Sequence, residues 1–156
     1  MKVSDLLSTK VIISQLNSSR KEDVINELID LFNDDSRIIN LEKVRSAVLE
    51  REKIMSTGVG KGFAIPHGKT SAVSDIIGAF GKTSQSIEFD SLDGKPVNLV
   101  FLLVGRDTLV SSHIKLLSRI SRLMNKDDFR ERLIEARTSE EIINIFAEEE
   151  KHFGDV

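Results

Sequence analysis

The chain has 156 residues, 40% of them hydrophobic and 30% charged, with a net charge of -3. That length suits a single domain over residues 1–156, and a chain of this size buries roughly 68–70% of the surface its unfolded form exposes, so it needs neither disulfide nor metal to fold. Cysteine, tryptophan and tyrosine are absent, which excludes thiolate chemistry and Cys-based zinc sites, argues against nucleic acid as a partner, and agrees with a cytoplasmic home.

The opening MKVSDLLSTK lacks the long apolar core of a signal peptide, and the longest apolar run, residues 99–104, is far too short to span a membrane, so no direct membrane insertion is expected. Residues 1–3 and 151–156 read as frayed ends. Residues 11–16 suit a short strand. Ser19-Arg20-Lys21-Glu22 has the capping-box pattern, and Val24, Leu28, Leu31 and Phe32 mark one stripe of a first helix. A second helix is predicted after Asn40, with Leu41, Val44 and Val48 on one face and its end near residues 51–53.

Glycines then cluster at 58, 60, 62, 68, 78 and 81. Residues 56–70 read as a loop with a short strand around 63–65, and residues 75–81 as a strand. Ile87 and Phe89 alternate with polar residues as in a further strand or edge. Asp93-Gly94 signals a turn, and the apolar run 97–104 a central strand buried on both faces. Ile114, Leu117, Ile120 and Met124 mark a helical stripe; Phe129 and Leu133 begin a shorter one. Thr138-Ser139-Glu140-Glu141 is a second capping box, followed by Ile142, Ile143 and Phe146. Strands in the middle with helices on either side imply an α/β domain whose sheet is covered by helices on both faces.

One segment points to chemistry: Ser56-Thr57-Gly58-Val59-Gly60-Lys61-Gly62-Phe63-Ala64-Ile65-Pro66-His67-Gly68-Lys69. Its alternate glycines allow close backbone approach. Pro66 fixes the backbone before His67 and keeps Ile65 extended, and Gly68 adds no side chain beside the imidazole. A histidine held rigidly and open from outside is suited to carrying a phosphoryl group, because near neutral pH a large fraction is unprotonated and nucleophilic. Such transfer needs positioning and donors for the phosphoryl oxygens more than covalent help. His113, in Ser111-Ser112-His113-Ile114-Lys115, falls at a predicted helix start and suits either a neutral donor to an anion or a helix cap. Arg51 suits either a guanidinium fork for phosphate or a solvated helix end within Glu50-Arg51-Glu52-Lys53. His152 reads as solvated. The histidines show no metal-ligand spacing, and the glycines match neither dinucleotide nor P-loop fingerprints, so no metal and no cofactor are expected.

The string GVGKGFAIPHGK resembles the active-site signature of the fructose/mannitol-type enzyme IIA domains of the bacterial sugar phosphotransferase system, including their nitrogen-regulatory branch. The opening DLLSTKVIISQL, ERE followed by STG, IEFDSLDGKPVNLVFLLV and HIKLLSRISRLM are similar to family segments in the expected order, so the resemblance covers nearly the whole chain. Residues 104–112 depart from the acidic, proline-containing loop of the family. The resemblance implies a mixed central sheet sandwiched between helices. It implies a phosphotransferase component in which His67 is transiently phosphorylated, His113 supports it and Arg51 stands beside the site. It also implies a phosphohistidine carrier of the HPr type as donor, and either an enzyme IIB cysteine or a regulated protein as acceptor. Gly68 and the lack of a fused IIB or IIC region lean toward the regulatory branch or a stand-alone transport component. The alternative is a docking module that uses the same surface without phosphorylation; docking alone does not need a phosphate pocket.

Overall fold

The computed structural model describes residues 1–152. Its centre is the apolar run predicted as a buried strand, here Val97–Arg106 (β6). Because successive strand side chains point to opposite faces, Leu99, Phe101 and Leu103 enter one core while Val100, Leu102 and Val104 enter another. The first core is closed by Val110–Met124 (α3), Asp127–Glu135 (α4) and Ser139–Glu150 (α5). The second is closed by Lys21–Ile29 (α1) and Leu41–Ile54 (α2). The sheet also holds Ile12–Ile13 (β1), Gly58–Gly60 (β2), Phe63–Ala64 (β3), His67–Thr70 (β4) and Ile77–Ile87 (β5). Its order is β1-β5-β6-β3-β2, with β4 also paired to β6. β5 runs antiparallel to β6 while β3 and β4 run parallel to it, so the sheet is mixed and lies between two helical layers, as expected.

Phe146 on α5 meets Phe80, Phe101 and Phe129 edge-on at centroid distances of 5.4, 5.7 and 5.1 Å, and each such pair adds about 0.5–1.5 kcal/mol beyond burial. Buried Lys82 on β5 donates to the carbonyls of Ile134 and Ala136, satisfying orphan acceptors at the end of α4.

Several local expectations are corrected. α1 begins at Lys21 without a side-chain cap, because Arg20 is extended and bridged to Glu88; Glu27 instead binds the backbone of Asn17 and Ser18. Residues 11–16 hold a 3-10 turn and only a two-residue strand. Ile87 ends β5 rather than starting a new strand. The buried stripe of α3 is His113, Leu116, Ile120, Leu123 and Met124, rotated from the predicted one so that Ile114 faces out. Val3 is not frayed: Glu150 accepts its N–H at 2.6 Å and that of Ser4 at 2.7 Å, and the Val3 side chain is buried. Lys151 and His152 form an exposed turn, and residues 153–156 of the expected frayed end lie outside the described residues. The caps at Asn40 and Thr138 are present, each accepting from the backbone N–H three residues on.

Candidate active site

The site forms where an edge of the sheet is interrupted. β3 and β4 pair in parallel with the same strand, β6, and together make one lane broken at residues 65–66. Pro66 has no N–H to give at the break, and its carbonyl accepts from Leu103 at 3.0 Å. His67 opens β4 in register with Leu103 and is half-buried. Its Nδ1 lies 2.8 Å from the Ile65 carbonyl oxygen. A carbonyl only accepts, so Nδ1 carries the proton and Nε2 keeps its lone pair. Burial pushes the His67 pKa below its ordinary value, opposed by the Ile65 bond; the charges of Arg51 and Lys69 lower it further, and that of Glu52 raises it. The ring is therefore neutral and nucleophilic near pH 7.

His113 faces His67 from the first turn of α3, with ring centroids 6.0 Å apart and planes tilted by 52°. It is 1% exposed, yet neither ring nitrogen has a partner among the described residues. Burial, then the charges of His67 and Lys69, push its pKa down to about 4, so it is neutral and one buried N–H donor is unmet. The ring fits against β6 only because residue 105 is glycine: a Cβ there would stand 2.5 Å from His113 Nδ1.

Arg51 lies in the last turn of α2, and its Nη1 donates to the Met55 carbonyl at 2.8 Å; the guanidinium makes no other hydrogen bond among the described residues. One end of the fork is tethered and the other donors remain uncommitted. Of the three expected site residues, His67 on β4 and His113 on α3 face each other, while Arg51 on α2 is tethered to Met55 and only its charge is felt at His67.

Other readings of this segment change. Gly68 does not clear space beside the imidazole. A Cβ on it would meet the α2 backbone at Val48 N, 3.2 Å away, so the glycine lets α2 lie close against β4. Gly60, Lys61 and Gly62 all have positive φ (137°, 60° and 81°) and turn the chain from β2 to β3. Phe63 and Ile65 are buried in the core. Exposed apolar side chains near the site residues in sequence include Ile54 and Met55 after Arg51, Val110 and Ile114 around His113, and Val59 within the glycine segment itself. The sequence signals Gly105 only as a glycine directly after a buried strand run, and carries no sign that Glu52 is the buried charge of its run. Among the described residues no group of three or more His, Cys, Asp or Glu side chains could hold a metal, and no helix is long and apolar enough to cross a membrane.

Residues 5–149 match the family described as phosphoenolpyruvate-dependent sugar phosphotransferase system, EIIA 2. The chain is 34% identical over 151 residues to the fructose-specific EIIABC component of Bacillus subtilis, covering 97% of this chain and 24% of that protein's length. It is also 34% identical over 151 residues to a nitrogen regulatory protein of Bradyrhizobium diazoefficiens, covering 94% of this chain and 95% of the relative. Its fold is similar to the crystal structure of nitrogen regulatory protein IIA-Ntr from Neisseria meningitidis, with a TM-score of 0.86 and 30% identity over 92% of this chain and 98% of that one.

Proposed function

We infer, because this chain belongs to the EIIA 2 family of the phosphoenolpyruvate-dependent sugar phosphotransferase system, that it is a phosphocarrier and that His67 Nε2 is the atom phosphorylated. The observation that carries this reading is the pair of facing histidines. One has a free nucleophilic lone pair, and the other is buried with its ring nitrogens unpartnered among the described residues. A buried donor left unmet costs about 1–3 kcal/mol, and an arriving phosphoryl oxygen would remove that cost.

In the proposed step the Nε2 lone pair forms a bond to phosphorus as the donor's N–P bond breaks and its electron pair returns to the donor ring. Nδ1 keeps its proton, donated to the Ile65 carbonyl, so the phosphorylated ring carries positive charge and releases the group readily to the next acceptor. His113 donates its N–H to a phosphoryl oxygen. Arg51 supplies the guanidinium fork for the charge, about -1.5 to -2 near neutral pH. The donor is a phosphohistidine carrier of the HPr type and the setting is cytoplasmic. The acceptor is an enzyme IIB or a regulated protein. The exposed Ile54, Met55, Val110 and Ile114 flank the two site residues and suit a transient partner.

The test is incubation with phosphoenolpyruvate and the general phosphotransferase components, followed by intact mass measurement. One acid-labile, base-stable phosphoryl group should appear and should be absent from His67→Ala. Labelling that persists in His67→Ala moves the site elsewhere.

A further inference from the structure

A buried carboxylate, Glu52, stands next to Arg51 on α2, and its charge is felt at His67. Arg51 and Glu52 are neighbours on α2, but their side chains diverge: Arg51 turns to the Met55 carbonyl, and Glu52 is buried, 6% exposed. Glu52 Oε2 accepts from the Thr57 backbone N–H at 2.8 Å, and Oε1 accepts from the Thr57 hydroxyl. Lys21 from α1 stands 2.8 Å from the same carboxylate, with its ammonium 5.1 Å above the Phe89 ring centroid. A carboxylate buried this deeply is retained only with such partners.

From Thr57 the contacts lead straight to the reacting histidine. The Thr57 carbonyl accepts from the Ile65 N–H at 3.2 Å. The Ile65 carbonyl in turn accepts from His67 Nδ1–H at 2.8 Å. Ser56, next to Thr57, is pinned as well: its hydroxyl donates to the Phe89 carbonyl at 2.6 Å and accepts from the Gly58 N–H at 3.1 Å. We propose that Glu52 is the positioning residue of the phosphoryl-accepting site, fixing the Nδ1–H tautomer of His67 by way of Thr57 and Ile65. The inference rests on His67 being the acceptor proposed above.

The links pass through whole residues rather than single peptide groups. The Thr57 N–H and carbonyl belong to different peptide planes, as do those of Ile65. Glu52 therefore acts by holding position, with its negative charge favouring a proton on the His67 ring as a supporting effect. If Thr57 moves, the Ile65 carbonyl loses its placement against Nδ1. The ring is then free to exchange tautomers and present a protonated, non-nucleophilic Nε2. The same carboxylate bounds the 55–57 turn, whose Met55 carbonyl tethers Arg51.

The experiment uses the full chain, ¹⁵N-labelled, as wild type and as Glu52→Gln, Glu52→Ala, Thr57→Val and Thr57→Ser. Two quantities are read: the His67 tautomer from ring ¹⁵N shifts at about pH 7.5, above the ordinary histidine range, and the rate of phosphoryl uptake from the phosphorylated donor. Wild type should be the Nδ1–H tautomer. Glu52→Ala should give a mixture and slow uptake about tenfold or more, since small misplacements near the chemistry are costly. Glu52→Gln, which keeps an acceptor for the Thr57 N–H, should fall between. Thr57→Ser should lose less than Thr57→Val because it keeps the hydroxyl. Should Glu52→Ala fail to fold, Glu52→Gln and Thr57→Val carry the comparison. The proposal is overturned if the tautomer stays wild-type in these variants, whether the rate falls or not. The tautomer reading needs no phosphoryl transfer, so it separates failure of this inference from failure of His67 to be phosphorylated at all.

Discussion

His113 can be tested without any partner protein. Its pKa is pushed from 6.5 down to about 4, so below the ordinary histidine range the unfolded chain binds a proton that the folded chain refuses. Stability is then full above about pH 6.5 and falls as pH drops toward 4, by about 3 kcal/mol for this one group. Urea unfolding of His113→Gln should show a flatter acid limb than wild type; an unchanged limb would mean that His113 takes up its proton normally in the fold. Arg51→Lys keeps the charge but loses the planar fork. Its phosphoryl uptake, followed by quench-flow, should lie between wild type and Arg51→Ala, and a wild-type rate for Arg51→Ala would make the guanidinium a bystander. At this scale the sequence exposed His67 through its Pro-before, Gly-after setting. His113 and Arg51 came forward chiefly through resemblance, because a single histidine or arginine at a helix end has several ordinary uses. The buried role of Glu52 is not legible, because nothing in a run of alternating charges marks which one will be buried, and its partners Lys21 and Thr57 lie elsewhere in the chain.

Elements set how closely these residues can meet. β4 lies against α2 only because Gly68 has no Cβ, the nearest backbone atom of α2 being 3.2 Å from where one would sit. Gly68→Ala should push α2 outward by a few tenths of an ångström, cost about 1–2 kcal/mol on thermal melting, and slow phosphoryl uptake through displaced Arg51. A melting temperature at or above wild type would show that the contact gives way freely. Phe63→Glu should abolish cooperative unfolding, since Phe63 is core. Helix positions were readable from capping residues and period, including the Asn40 and Thr138 caps. The face of α3 was not, because a buried histidine takes a place that an apolar stripe assigns to a neighbour; the exposed Ile114 is the visible sign. The short strand read around residues 63–65 is present as β3, whereas β4 was hidden because its pairing partner β6 lies far away in the chain.

The molecule as a whole places β6 between two helical cores and leaves its lane with β3 and β4 broken at one point, where the histidine emerges. Rigid cores on both faces mean that little must move when a phosphoryl group arrives, which suits rapid exchange between partners. The layered architecture was legible because a strand with apolar residues at nearly every position needs cover on both sides. The direct measurement is ¹H–¹⁵N correlation of the phosphorylated full chain through its histidine rings. A phosphoryl group on His67 Nε2, with the proton retained on Nδ1, is the expected result. A phosphoryl group on Nδ1, or on any residue other than His67, would contradict it.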